Sequence, residues 1–296
     1  MRLAGAAKGQ VLGPLWLSKR ILNKPQPGTT EDAAAAAATA DSSSAVAQNM
    51  NSSTKTLYTS FLAEDGSGVD YASLAASPEY AQYLRQAATL SAVNLSDMPP
   101  AERKAFFLNT YNALVIHAFV AIGTPRWLLG RLAFYATAAY DIGGAAWCLN
   151  DIENGALRGN RRSAAPFTGP PLARDDARLP LCLELDPRIH FALNCGALSC
   201  PPIRHYSAEG LDAQLDLATR AFVNGMALND AGDALLLSQI FRWYAADFGG
   251  SDAEVLAWIR QYVTAPAKAA ALDKQLSRAP VVCAYEAYDW SLNQKK

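Results

Sequence analysis

Apolar residues gather in a few strongly patterned stretches. From Pro100 onward Phe106, Phe107, Leu108, Tyr111, Leu114, Val115, Ala118 and Phe119 cover almost the whole circumference of a helix. The pattern predicts a buried helix opened by Pro99-Pro100. Asn109, Thr110, Asn112 and His117 fall inside it. A buried polar side chain without a partner costs roughly one to three kcal/mol, so these groups must bond either to neighbouring backbone as pins or to a site as orienters. Upstream, Ser77-Pro78-Glu79-Tyr80 running into Tyr83 and Leu84 predicts a shorter helix with Pro78 in its first turn.

After the long helix the period changes. Thr137–Ile142 and Ala145–Leu149 flank Gly143-Gly144, a two-residue glycine turn that predicts a hairpin. Asn150 with Glu153 three residues on reads as a helix cap and its reciprocal partner, followed by Asn154, Leu157 and Arg158. Residues 163–180 have loop composition. Ser207 is read as the cap of a helix with Leu211, Leu215, Ala218, Phe222 and Met226 on one face. Ala234–Leu237 predicts a short strand, Ser238 a cap for Ile240–Asp247, and Ser251 with Glu254 a capping box. Val281–Cys283 reads as a strand. Tyr285, Tyr288, Asp289, Trp290 and Asn293 form an aromatic-polar tail that should dock back onto the body.

The first 56 residues depart from this patterning. Arg2, Lys8, Lys19, Arg20 and Lys24 precede any acidic residue, and Ala33–Ala38 and Ser42–Ser44 are low in complexity. The reading is a disordered segment, either an organelle (chloroplast or mitochondrion) transit peptide or a plain tail, with the ordered domain over residues 57–296. Val11–Leu17 is too short a clean apolar run for a secretory signal. The best later run, Ala113–Gly123, contains His117 and is too short to cross a bilayer.

With 296 residues, 51% hydrophobic and 18% charged, the chain can bury a sizeable core, and its net charge of −1 offers no field for nucleic acid. Five cysteines, an odd number widely spread, favour a reducing compartment over disulfide staples.

The chemistry concentrates in Asp186–Arg204, which packs Arg188, His190, Asn194, Cys195, Cys200 and Arg204 into nineteen residues. Imidazole can take a thiol proton and leave the stronger nucleophile, so Cys195 with His190 is a candidate dyad. Asp186-Pro187 suits a helix start while Ile189, Phe191 and Leu193 alternate like a strand. In either case a dyad requires the chain to turn at Asn194-Cys195-Gly196. Cys195, Cys200 and His205 give C-x4-C-x4-H, not the short spacing of structural zinc, and C-x4-C is not the C-x-x-C of thioredoxin-like sites. No cofactor or metal is called for.

Taken together, Phe106–Asn112 (F-F-L-N-T-Y-N), Asp151–Arg158 (D-I-E-N-G-A-L-R), Asp186–Arg204, Leu237–Gly249 (L-S-Q-I-F-R-W-Y-A-A-D-F-G) and Tyr288–Asn293 (Y-D-W-S-L-N) resemble the successive blocks of the domain-of-unknown-function family DUF547, over roughly residues 57–294. The resemblance implies no established activity. It carries onto His190, Asn194, Cys195, Arg188 and Arg204. Where the family usually reads I-E-H, this chain has Ile152-Glu153-Asn154, a side chain that takes no proton near neutral pH.

The fold class expected is α+β: a single mostly helical domain with a small antiparallel sheet, preceded by a disordered segment. Three functional readings stand. One is a cysteine-dependent hydrolase or acyl-transfer enzyme acting on a small-molecule or protein substrate, with Cys195 as nucleophile, His190 as base, Glu153 or Asn194 as orienter, and Arg158, Arg188 and Arg204 holding a substrate anion. The second is a non-catalytic module that binds a protein partner. The third is thiol-disulfide redox work by Cys195 and Cys200.

Overall fold

Two apolar clusters organise the described residues, and the chemistry-bearing stretch lies where they meet. A computed structural model describes residues 18–24, 43–125, 127–165, 168–226, 230–231, 234–278 and 280–295. The first cluster is built on helices Ser43–Phe61 (α1), Tyr71–Ala75 (α2), Pro78–Ala88 (α3), Pro100–Ile122 (α4) and Leu128–Thr137 (α5). Ser77 caps α3 through its hydroxyl, and Pro78 occupies the first turn as its fixed φ allows. α4 is buried from Ala105 through Phe119 without a break. It is long and apolar enough to span a bilayer by length and composition, and longer than its most apolar run suggests. Its all-round burial makes it the central core helix of this fold.

The low-complexity reading of residues 1–56 extends too far. α1 buries Val46, Ala47, Met50, Leu57 and Tyr58, and its apolar stripe is hard to see in sequence because Ser53 and Thr54 share the buried face. Arg20–Ile21 (β1) pairs in parallel with Ala138–Ile142 (β2). Asn23 secures this segment, donating to the carbonyls of Ala87 and Asp141 and accepting from the Asp141 amide. Val11–Leu17 and Ala33–Ala38 lie outside the described residues.

The glycine hairpin forms as predicted, β2 pairing with Ala145–Cys148 (β3), and both turn glycines have positive φ, 62° and 77°. Further along come Leu211–Gly225 (α6), strands Asp230–Ala231 (β4) and Ala234–Leu237 (β5), then Gln239–Trp243 (α7), Asp252–Arg260 (α8), Pro266–Leu276 (α9) and strand Cys283–Tyr285 (β6). The fold class is therefore α+β and mostly helical. Among the described residues the strands make two sheets rather than one, β1-β2-β3 and β4-β5-β6, each with one parallel and one antiparallel pairing. Ser251 and Glu254 form the expected capping box on α8. Ser207 does not cap α6, whose N-cap is Gly210.

The second cluster gathers Val223, Leu235, Leu237, Phe241, Phe248, Val255 and Leu256. Both α6, with Leu211 and Leu215 in the first cluster and Val223 in the second, and the 3-10 turn Pro187–Phe191, with Ile189 in the first and Phe191 in the second, bridge them. The chemistry-bearing stretch is thus the seam of the molecule.

Candidate functional site

Asp186 accepts a hydrogen bond from the Arg188 amide and starts the 3-10 turn, which resolves the helix-or-strand ambiguity of this stretch. The backbone leaving this turn is held by the asparagines of α4. Asn112 donates to the Ala192 carbonyl at 2.9 Å and accepts from the Asn194 amide at 2.8 Å. Asn109 makes the same two-way pairing with the backbone of Tyr206, at 2.7 and 2.9 Å. Both are pins, and they pin the site itself. Asn194 then closes the turn, accepting from the Gly196 amide and donating to the Pro201 carbonyl, each at 2.7 Å. Gly196 takes φ +83°, and a Cβ there would lie 2.0 Å from the Phe119 ring, so only glycine fits.

This turn brings Cys195 to Cys200. Their sulfurs are 2.7 Å apart, beyond the roughly 2.05 Å of a disulfide but well inside van der Waals contact. The Cys195 amide donates to the Cys200 sulfur at 3.0 Å. The Tyr288 hydroxyl reaches both sulfurs, at 3.1 Å from Cys200 and 3.5 Å from Cys195, while Tyr135 donates to the Cys195 carbonyl at 2.8 Å. The hydrogen bond from Cys200 outweighs burial and, with Tyr288 and the Ala197 amide, lowers the Cys195 thiol to about 7. Burial and the adjacent Cys195 thiolate push Cys200 well up. The other three thiols are also raised, chiefly by burial. Only Cys195 is a ready thiolate near neutral pH.

His190 does not bond Cys195. The His190 Nε2 bonds Asp247 Oδ2 at 2.8 Å, and the ring stacks on Tyr244 with centroids 3.9 Å apart. Burial lowers its pKa despite the carboxylate, so the neutral ring donates Nε2–H to ionised Asp247. The expected pairing is not formed because the imidazole is taken up by Asp247, Tyr244 and Phe248, beside the second cluster. Nor do Asn150 and Glu153 form a cap. Asp151–Leu157 is a π-helical turn without a side-chain cap, and the Glu153 carboxylate accepts from Tyr111 at 2.9 Å and from Tyr244 at 2.5 Å. Glu153 and Cys195 both act on Tyr111, Tyr135 and Tyr244, so they face one cluster of tyrosine hydroxyls.

The arginines divide. Arg158 forks onto Asp247 at 2.6 and 2.9 Å and also bonds Asn154 and the Arg162 carbonyl. Arg188 is taken up by Asp186 and Asp212. Arg204 has no hydrogen bond or ion pair among the described residues, and it lines an open groove of about 380 Å³ together with Phe222, Glu286 and Tyr288. Asn154 accepts from Arg158 at 2.5 Å and donates to Asn150 at 2.9 Å, which puts it in the Arg158–Asp247 network and not at the thiols. No third His, Cys, Asp or Glu joins Cys195 and Cys200 in a group that would hold a metal, among the described residues.

Asp247, Tyr244, Tyr135 and Tyr288 are the site residues that sequence reasoning left out. Tyr244 and Asp247 stand in the Leu237–Gly249 block, and Tyr288 opens the last one, so those blocks were visible without their roles. Tyr135 carries no sequence signal beyond its apolar helix. The docked tail was anticipated: Ala197 bridges to Leu292, and Asn293 is fully buried.

No curated protein and no solved structure matches the chain. Residues 95–223 match the family model described as "Protein of unknown function, DUF547". That span holds α4, the hairpin, Glu153, His190 and both thiols, while Tyr244, Asp247 and Tyr288 fall beyond it. Over this segment the chain is similar to the DUF547 family, in line with the motifs that resemble it.

Proposed function

We propose that the chain is a thiol-disulfide redox protein in which Cys195 attacks and Cys200 resolves. The observation that carries this reading is the 2.7 Å approach of the two sulfurs, one lowered and one raised in pKa. In the reductive direction the Cys195 thiolate attacks a substrate disulfide. A Cys195–substrate bond forms, the substrate S–S bond breaks, and the departing thiolate takes a proton from solvent. Cys200 then gives up its proton and attacks the Cys195 sulfur, releasing the second substrate thiol. The pair loses two electrons and the substrate gains them. Tyr288, within reach of both sulfurs, can hold a proton at whichever is the thiol.

The hydrolase or acyl-transfer reading keeps the same nucleophile but lacks a base, since among the described residues no imidazole or carboxylate bonds either sulfur. Trypsin cleaves after Arg188 and Arg204, leaving both cysteines on one peptide. Mild oxidation with oxidised glutathione should make that peptide lighter by two hydrogens, reversibly with dithiothreitol. If the thiols instead stay free, or carry glutathione on Cys195 that Cys200 never displaces, the redox reading is wrong.

A further inference from the structure

We infer that the N-terminal half of α5 docks on the surface of an anionic lipid bilayer. Trp127, Leu128 and Leu129 are 75%, 63% and 78% exposed, and Leu132 is exposed beside them. Leu128 and Leu132 are four apart and Leu129 and Leu132 three apart, so they share one helix face. The other half of the helix is ordinary core, burying Phe134 and Thr137. One continuous apolar tip therefore stands in water at the start of an otherwise anchored helix, which isolated surface leucines do not do.

The charge beside this tip identifies what covers it. The Arg131 guanidinium lies 4.4 Å over the half-exposed Trp290 indole. It makes no hydrogen bond or ion pair among the described residues, and its Nε is shielded and unpartnered. Between Lys104 and Asp141 the sequence carries Arg126 and Arg131 and no acidic residue. The partner must supply apolar volume for tryptophan and leucines and, next to it, negative charge for arginine. An anionic bilayer has both in the right order, acyl chains below and phosphates at the level of the indole rings. A second copy of the chain fits worse, because a two-fold contact on this face would set Arg131 against Arg131.

The same helix contains Tyr135, which bonds the Cys195 carbonyl at 2.8 Å, so docking would hold the thiol pair close to the membrane surface. The inference does not depend on the redox reading.

The test is sedimentation of the full chain with sucrose-loaded vesicles, either pure phosphatidylcholine or the same lipid containing phosphatidylglycerol. The chain should bind the anionic vesicles, and high salt should weaken the binding. The exposed double substitution Leu128→Gln/Leu129→Gln should lower partitioning at least tenfold with the thermal unfolding midpoint unchanged. Arg131→Gln should weaken binding to anionic vesicles only. Absence of binding to anionic vesicles, or equal binding by chain and double variant, overturns the inference. So does concentration-dependent self-association that the double variant abolishes, which would assign the face to a second copy.

Discussion

His190 donates to Asp247 across 57 positions of sequence, at 2.8 Å, and Asp247 receives the fork of Arg158 on the same carboxylate. Burial opposes ionisation of this carboxyl, but the bonds from His190 and Arg158 prevail and hold it well below the usual range. The triad ties the π-helical turn to the 3-10 turn and to the residues after α7. Asp247→Ala strands a buried guanidinium, and an uncompensated buried charge costs about 3–5 kcal/mol. A urea titration at pH 7 should show a loss of that size. His190→Gln should leave the alkylation rate of Cys195 unchanged, whereas a Cys195–His190 dyad would lose most of it.

The pH dependence of Cys195 is set by its neighbour. With the thiol lowered to about 7, native alkylation of Cys195 should rise with pH to a half-maximum near 7. Cys200 supplies the largest lowering effect, and burial alone acts in the other direction. Cys200→Ala should therefore move the half-maximum upward from about 7, with Tyr288 and the Ala197 amide still holding part of the lowering. Peptide-resolved mass spectrometry after timed iodoacetamide labelling measures both.

Holding the turn has a separable cost. Asn112→Ala removes the partners of the Ala192 carbonyl and the Asn194 amide at once. Each orphaned buried group costs about 1–3 kcal/mol. The variant should unfold at lower urea and also form the Cys195–Cys200 bond more slowly, because the turn that presents Cys195 is loosened. A variant that loses stability but oxidises at the normal rate would show that Asn112 does not position the pair.

His117 makes stability depend on mild acid. It is enclosed by Tyr80, Tyr83 and Tyr140, and burial lowers its pKa to about 4. The unfolded chain takes up a proton near pH 6.5 while the folded chain does not until about 4, so stability falls as pH drops through that window. Between pH 7 and pH 5 the loss from this residue is about 2 kcal/mol. His117→Gln keeps a polar group facing the Tyr140 hydroxyl and should flatten that slope in urea titrations at the two pH values.

Much of this is legible in the sequence. Asn109 and Asn112 stood out because a polar side chain in an all-apolar helix must have a partner, and Gly196 because a compact reactive stretch needs a turn. The hairpin glycines, Pro78 in the first turn of α3 and the Ser251–Glu254 box are local signals and appear where local chemistry puts them. Long-range pairings were not legible. Nothing near His190 announces that its partner is Asp247, and Tyr288 meets Cys200 from 88 positions away. α1 was missed because its buried face mixes serine and threonine with apolar residues, and β1 because two residues carry no periodicity. Glu153 shows the limit of local rules. Its spacing from Asn150 suits a cap, but two tyrosine hydroxyls from other elements claim its carboxylate.

The most direct measurement is a redox titration of the native chain in graded mixtures of reduced and oxidised dithiothreitol, quenched with acid and read on the tryptic peptide that spans residues 189–204. A thiol pair working together should give a single two-electron transition in which Cys195 and Cys200 leave the free pool together, while Cys148, Cys182 and Cys283 stay reduced throughout. Cys195 and Cys200 remaining free across the series, or Cys195 pairing with any sulfur other than that of Cys200, would contradict it.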